Sequence, residues 1–99
     1  MAGKKARATA ISSTVKKAVM ERDGCCVWCG RPGLPEAHYI SRAQFGLGIE
    51  QNILALCREC HNRYDRTGDR QQMRKVFRQY LQSKYPDWNE DDLIYRKKW

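Results

Sequence analysis

No stretch of this sequence is apolar for the roughly 20 consecutive residues that a membrane-spanning helix needs. The opening residues do not read as a signal peptide either, because their apolar side chains are scattered among Lys4, Lys5, Arg7, Lys16 and Lys17. A soluble, cytoplasmic protein without a membrane partner is expected. Internal repeats and low-complexity segments are lacking. At 99 residues there is room for one domain, 1–99, and none for a second. A core of that size is marginal and calls for a staple. Acidic residues are the minority, eleven against nineteen lysines and arginines, and histidine is scarce, with two.

The resulting net charge of +8 is unevenly spread. Residues 1–24 hold six basic and two acidic groups, residues 25–65 balance at four each, and residues 66–84 hold six against one. Two basic flanks around a neutral centre suit a polyanion held on both sides of a working site. Such binding would be sequence-tolerant and dominated by phosphate contacts.

Residues 1–11 show no periodicity and read as a mobile basic arm. Ser12 or Ser13 is a candidate cap for a short helix with Val15, Ala18, Val19 and Arg22 on one side, stopped at Asp23-Gly24. Cys26 to Gly30 reads as a tight turn, Leu34 to Ile40 as a strand entered through Pro35, and Asn52 to Leu56 as a short apolar run. A helix is expected from Cys57 to about Arg66. The clearest helix is 69–84, where Met73, Val76, Phe77, Tyr80 and Leu81 fall at i, i+3, i+4, i+7 and i+8. Asn89 is placed to cap a last turn carrying Leu93 and Ile94, before a basic-aromatic end from Tyr95 to Trp99.

Four of the five cysteines form two pairs, Cys26-x-x-Cys29 and Cys57-x-x-Cys60, separated by 27 residues. Each CxxC turn offers two thiolates on one side, and zinc favours four soft ligands in a tetrahedron. In a cytosolic chain this spacing argues for metal over disulfides. No thioredoxin-like βαβ pattern surrounds either pair, which argues against a redox dithiol. Four thiolates leave no open position, so the zinc is expected to be structural, and its binding supplies the staple. Cys25 is expected to be a non-ligand thiol.

Both histidines sit beside this framework, His38 in EAHYISR and His61 directly after Cys60. The succession CVWCG, EAHYISR and NILALCRECHNRYD, over residues 26–65, resembles the HNH endonucleases. Phage and mobile-element proteins often contain that module, frequently with small basic flanks. The resemblance implies an α+β fold: a small ββα-metal core at 25–66, stapled by the four-cysteine zinc, with flanking helices. It implies cleavage of DNA phosphodiester bonds, by nicking or cutting, with a divalent ion such as Mg²⁺ or Mn²⁺. By the same resemblance His38 is the general base, Asn52 ties the loop between the strands and helps orient that base, and His61 binds the metal. Asp65, four residues on and so on the same helical face, matches a position often filled by a second metal-binding histidine. Arg42, Arg58 and Arg63 lie near this site in sequence and suit phosphate contact.

The chemistry stands without the family. An imidazole with a pKa of about 6.5 can take a proton from water at physiological pH, and an ion held by His61 and Asp65 can polarise a phosphate. One departure matters: Ala37 stands where the family places a third ligand, directly before the base. His61 and Asp65 then hold the ion with water and phosphate, or Glu36 reaches in from a twisted strand, or the register shifts so that His38 is a ligand and Tyr39 takes the base position. In the first register, Ala37→Asp is expected to restore a ligand. A non-catalytic, zinc-stabilised nucleic-acid-binding module is the alternative function. A zinc-ribbon interaction domain accounts for the cysteines but not for His38, Asn52 and His61 together.

Overall fold

Alternation along two short strands sorts the side chains into two clusters. In the computed structural model, which describes the backbone of residues 4–96 and the side chains of residues 6–96, β1 (Leu34–His38) pairs antiparallel with β2 (Ile53–Leu56). Ala37 lies opposite Leu54 and His38 opposite Ile53, with a register shift between Leu34 and Ala37. Cross-strand partners share a face. Leu54, Leu56 and Ala37 accordingly join a large apolar cluster with Tyr64, Met73, Phe77 and Leu81. Ile53 and Ala55 face the other way, against Val19.

The helices supply the two covers. Helix α1 (Lys4–Thr9) leads to α2 (Ser13–Asp23), whose N-cap Ser12 accepts the Val15 N–H and whose Val19 is fully buried. Helix α3 (Arg58–Arg66) follows β2 after a single residue, Cys57, and α4 (Arg70–Lys84) packs against it. The apolar residues at i, i+4 and i+8 of α4, Met73, Phe77 and Leu81, are all fully buried, each worth about 1.5–3 kcal/mol. Phe77 sits edge-on to Tyr64 at 5.0 Å and to Trp28 at 6.0 Å. A 3₁₀ turn, Glu90–Leu93, closes the described chain, with the Asn89 side chain accepting the Asp91 N–H.

These elements make a small α+β fold with a two-stranded antiparallel sheet. Two sequence expectations change. Within the stretch expected as an arm, Lys4–Thr9 is helical, and Thr9 is buried. Met1 to Gly3, and the end of the chain beyond Arg96, lie outside the described residues. Strand β1 ends at His38 instead of Ile40, because the Asn52 side chain replaces the ladder: its Oδ1 accepts the Ile40 N–H at 2.8 Å.

The connection between the strands is held from both ends of the chain. Gly48 N–H donates to the Ala8 carbonyl at 2.9 Å, while Leu47 N–H donates to the Leu93 carbonyl and Tyr95 N–H to the Phe45 carbonyl, both at 2.7 Å. Among the described residues, no helix is long and apolar enough to cross a membrane.

Candidate metal and catalytic centre

The first CxxC turn closes because Gly30 adopts a φ of 80°, a conformation open to glycine at little cost, and donates its N–H to the Cys26 carbonyl. Val27 N–H then ties the turn to β2 through the Ala55 carbonyl at 2.9 Å. The second pair is carried by the start of α3, where Cys57 is the N-cap and its sulfur accepts the Cys60 N–H at 3.4 Å. The two turns therefore meet across β2. The Sγ atoms of Cys26, Cys29, Cys57 and Cys60 all lie within 4.8 Å of one another, and those of Cys29 and Cys57 are 3.6 Å apart. A tetrahedral zinc with bonds of about 2.3 Å separates its sulfurs by about 3.8 Å, so the four cysteines fit the ion. Cys25 is not part of the cluster. Burial pushes the Cys26 thiol up, but backbone N–H groups of Cys29, Cys57 and Trp28 outweigh it and bring the thiol to about 7.

A separate cleft of about 760 Å³, with none of the four cysteines in its lining, opens elsewhere on the fold. Its lining includes His38, at the end of β1, and His61 and Asp65, one turn apart on α3. The His61 Nε2 and Asp65 Oδ2 atoms are 3.0 Å apart. Adjacent donors of an octahedral ion with bonds of about 2.1 Å are also about 3.0 Å apart, so this pair fits two neighbouring positions of such an ion. Among the described residues, the four cysteines are the only group of three or more His, Cys, Asp or Glu side chains that converge on a possible metal position.

His38 is buried, and its Nε2 lies 2.8 Å from the Thr9 carbonyl oxygen. A carbonyl only accepts, so Nε2 carries the proton and Nδ1 of the neutral ring carries the lone pair. Burial lowers the His38 pKa below the ordinary imidazole value; the Thr9 carbonyl raises it, and the Arg42 charge lowers it further. Burial of the ring therefore favours its neutral form.

Asn52 is fully buried and makes three hydrogen bonds. Its Oδ1 accepts from Ile40 N–H, and its Nδ2 donates to the Ile40 carbonyl at 3.1 Å and the Leu47 carbonyl at 2.8 Å. Asn52 thus ties both ends of the interstrand connection immediately after His38.

The arginines divide. Arg42 lines the cleft, with its Nε 3.3 Å from Thr9 Oγ1. Arg58 and Arg63 do not line it: Arg58 is exposed at the start of α3, and Arg63 pairs with Asp69 at 3.2 Å and lies over Trp28. Their nearness to the site was nearness in sequence, and the helix turns them aside. Lys16 and Arg70 line the cleft instead; composition had put them in the basic flanks without singling them out. Arg70 lies 3.7 Å from Asp65 Oδ1. Much of the charge on α4 is engaged structurally, because Arg74 and Arg78 bind Tyr39 and Glu90.

Glu36 also lines the cleft, two residues before His38 on the same strand. Ala37 is fully buried in the apolar cluster, and Tyr39 points away from the cleft: its ring is buried against Trp88, and its hydroxyl donates to Glu90 Oε1. Tyr39, the base of the shifted register, is not among the residues that line the cleft. Comparisons with family profiles, curated proteins and solved structures each returned no match.

Proposed function

We propose that this chain is a metal-dependent endonuclease of the HNH type that hydrolyses DNA phosphodiester bonds, with His38 as general base. One observation carries the reading. A buried histidine shares a cleft with a His61–Asp65 pair spaced for a divalent ion, and Lys16, Arg42 and Arg70 line the same cleft. The ββα-metal reading of β1, β2 and α3 rests on this arrangement together with the residue pattern.

In the proposed reaction, Arg42, Lys16 and Arg70 attract and orient the DNA backbone. The Nδ1 lone pair of His38 takes the proton of the attacking water while the Thr9 carbonyl stabilises the ring from the other side. Asn52 holds the connection that fixes His38, so it is a positioning residue. A Mg²⁺, Mn²⁺ or similar ion held by His61 and Asp65 would neutralise charge on the phosphate oxygens and the leaving oxygen. The four-cysteine zinc has a closed shell and is architectural.

The two-donor ion site is also what favours the second reading, a zinc-stabilised module that binds nucleic acid without cutting it. Incubation of supercoiled plasmid with the protein in Mg²⁺, Mn²⁺ or EDTA separates the two. Nicking or linearisation that needs a divalent ion, and that drops on the order of 10²–10⁴-fold in His38→Ala while DNA binding and zinc content persist, supports the nuclease. Intact plasmid under every ion, with retained DNA binding, establishes the module instead.

A further inference from the structure

We infer that the N-terminal segment is part of the catalytic centre: the main-chain carbonyl of Thr9 is the positioning group that fixes the ring of His38. This deepens the nuclease reading and rests on it for its catalytic meaning. The last carbonyls of a helix have no partner within the helix, and the C-terminal end of the helix carries partial negative charge. Helix α1 ends at Thr9, and two of its terminal carbonyls are satisfied by the site. Ala8 accepts from Gly48 N–H at 2.9 Å, and Thr9 from His38 Nε2 at 2.8 Å.

The docking is close enough to require glycine. A Cβ on Gly48 would lie 1.9 Å from the Ala10 oxygen and 3.0 Å from the Thr9 oxygen itself. The acceptor for His38 is thus held by one backbone packed directly on another. Arg42 adds a second tie, its Nε lying 3.3 Å from Thr9 Oγ1. Asn52 secures the chain after His38, whereas α1 secures the ring, and the ring nitrogen left over for water depends on the second of these. The cysteines of the cluster, Cys26, Cys29, Cys57 and Cys60, lie on other segments than α1, so disturbing α1 is expected to separate catalysis from the zinc-bound fold.

The test uses full-length, zinc-loaded protein with ¹⁵N-labelled histidine. The wild type is expected to show a slowly exchanging imidazole Nε2–H signal that disappears in His38→Ala. Gly48→Ala is expected to lose that protection and to cut plasmid on the order of 10²-fold more slowly, the scale of a small misplacement of a catalytic group, with one zinc per chain and DNA affinity retained. Gly68→Ala, where a Cβ meets nothing within 4 Å, is the control that keeps both signals. Absence of a protected Nε2–H in the wild type overturns the inference, even should Gly48→Ala fail to fold. So does a Gly48→Ala protein that loses protection yet cuts at the wild-type rate. A wild type that shows the protected proton but leaves plasmid intact under every divalent ion sinks the nuclease reading and leaves the Thr9–His38 anchor standing as structure alone.

Discussion

Ala37 and His38 are neighbours in the chain and opposites in space. The strand turns His38 towards Thr9 and the cleft, and Ala37 into the apolar cluster opposite Leu54. The expectation that Ala37→Asp would restore a metal ligand is therefore corrected. An aspartate there places a carboxylate among Leu54, Tyr64 and Phe77, apolar surfaces that cannot solvate it. The predicted outcome is destabilisation of about 3–5 kcal/mol, the scale on which an uncompensated buried charge acts, with no gain in Mg²⁺ or Mn²⁺ affinity. Denaturant melts and ion titration of the variant check both halves; tighter ion binding at unchanged stability would refute the placement of Ala37. The same residues show what a sequence can disclose. The CxxC spacing announces its chemistry because a metal selects side chains, and a turn brings them together locally. The partner of His38 is silent, because every residue from 1 to 37 carries a carbonyl and nothing in the residue type Thr9 says that its carbonyl will be used.

Of α2, α3 and α4, α2 is the least amphipathic by pattern, and its last two residues add polar ties to the packing of Val19. The side chains of Arg22 and Asp23, 9% and 0% exposed, are paired at 2.6 Å. Arg22 also donates to the carbonyls of Glu50 and Ile53, at 2.7 and 2.6 Å, while Asp23 accepts from Ala55 N–H at 2.9 Å and Tyr80 O–H at 2.5 Å. One ion pair thus joins α2, β2 and α4. Sequence showed only an Asp-Gly stop here, since the partners lie about 30 and 60 residues away. Asp23→Ala strands a buried guanidinium and is predicted to cost about 3–5 kcal/mol. Lys16→Ala, on the same helix but exposed to the cleft, is predicted to stay within about 0.5 kcal/mol. Equal urea midpoints for the two variants would overturn this account.

A second network joins β1 to the closing 3₁₀ turn and titrates. Burial by itself raises the Glu90 pKa, but the Tyr39 hydroxyl and the Arg74 and Arg78 charges outweigh it and hold the carboxyl below its ordinary value of 4.5. A carboxylate so held stabilises the fold at any pH above that ordinary value. The contribution disappears as the pH falls through the folded-state value, because the unfolded chain then binds more protons. Glu90→Gln is accordingly predicted to lower stability at neutral pH and to flatten its decline below about pH 4.5. Urea midpoints of both proteins across that range are the measurement, and parallel declines would remove Glu90 from the acid response.

At the scale of the whole molecule, the proposed function asks for two metal sites of opposite character within one small fold, and chelation should separate them. The cysteine cluster joins the turn before β1 to the start of α3 through four thiolates, two of them buried. Structural zinc in small domains contributes on the order of 10–16 kcal/mol of apparent binding free energy, more than the 5–15 kcal/mol by which a typical domain is stable. With zinc in the cluster, the fold would depend on that ion. The His61–Asp65 pair offers two donors at the surface of a cleft, with Arg70 close enough to Asp65 to compete for it, so on the proposed reading an ion held there would exchange readily and bind more firmly once phosphate oxygens complete its shell. Brief treatment with EDTA is therefore predicted to abolish plasmid cleavage while circular dichroism and zinc content stay unchanged, and excess Mg²⁺ or Mn²⁺ restores cutting at once. Displacement of zinc by a thiol-directed mercurial is predicted instead to release one zinc per chain together with the cooperative melt, and added Mg²⁺ restores neither. Should zinc leave without loss of the melt, the cysteine cluster is not the staple. Should brief EDTA treatment remove the zinc and the fold along with the activity, the division into a closed structural site and an open exchangeable one fails, and with it the assignment of the cleavage ion to His61 and Asp65.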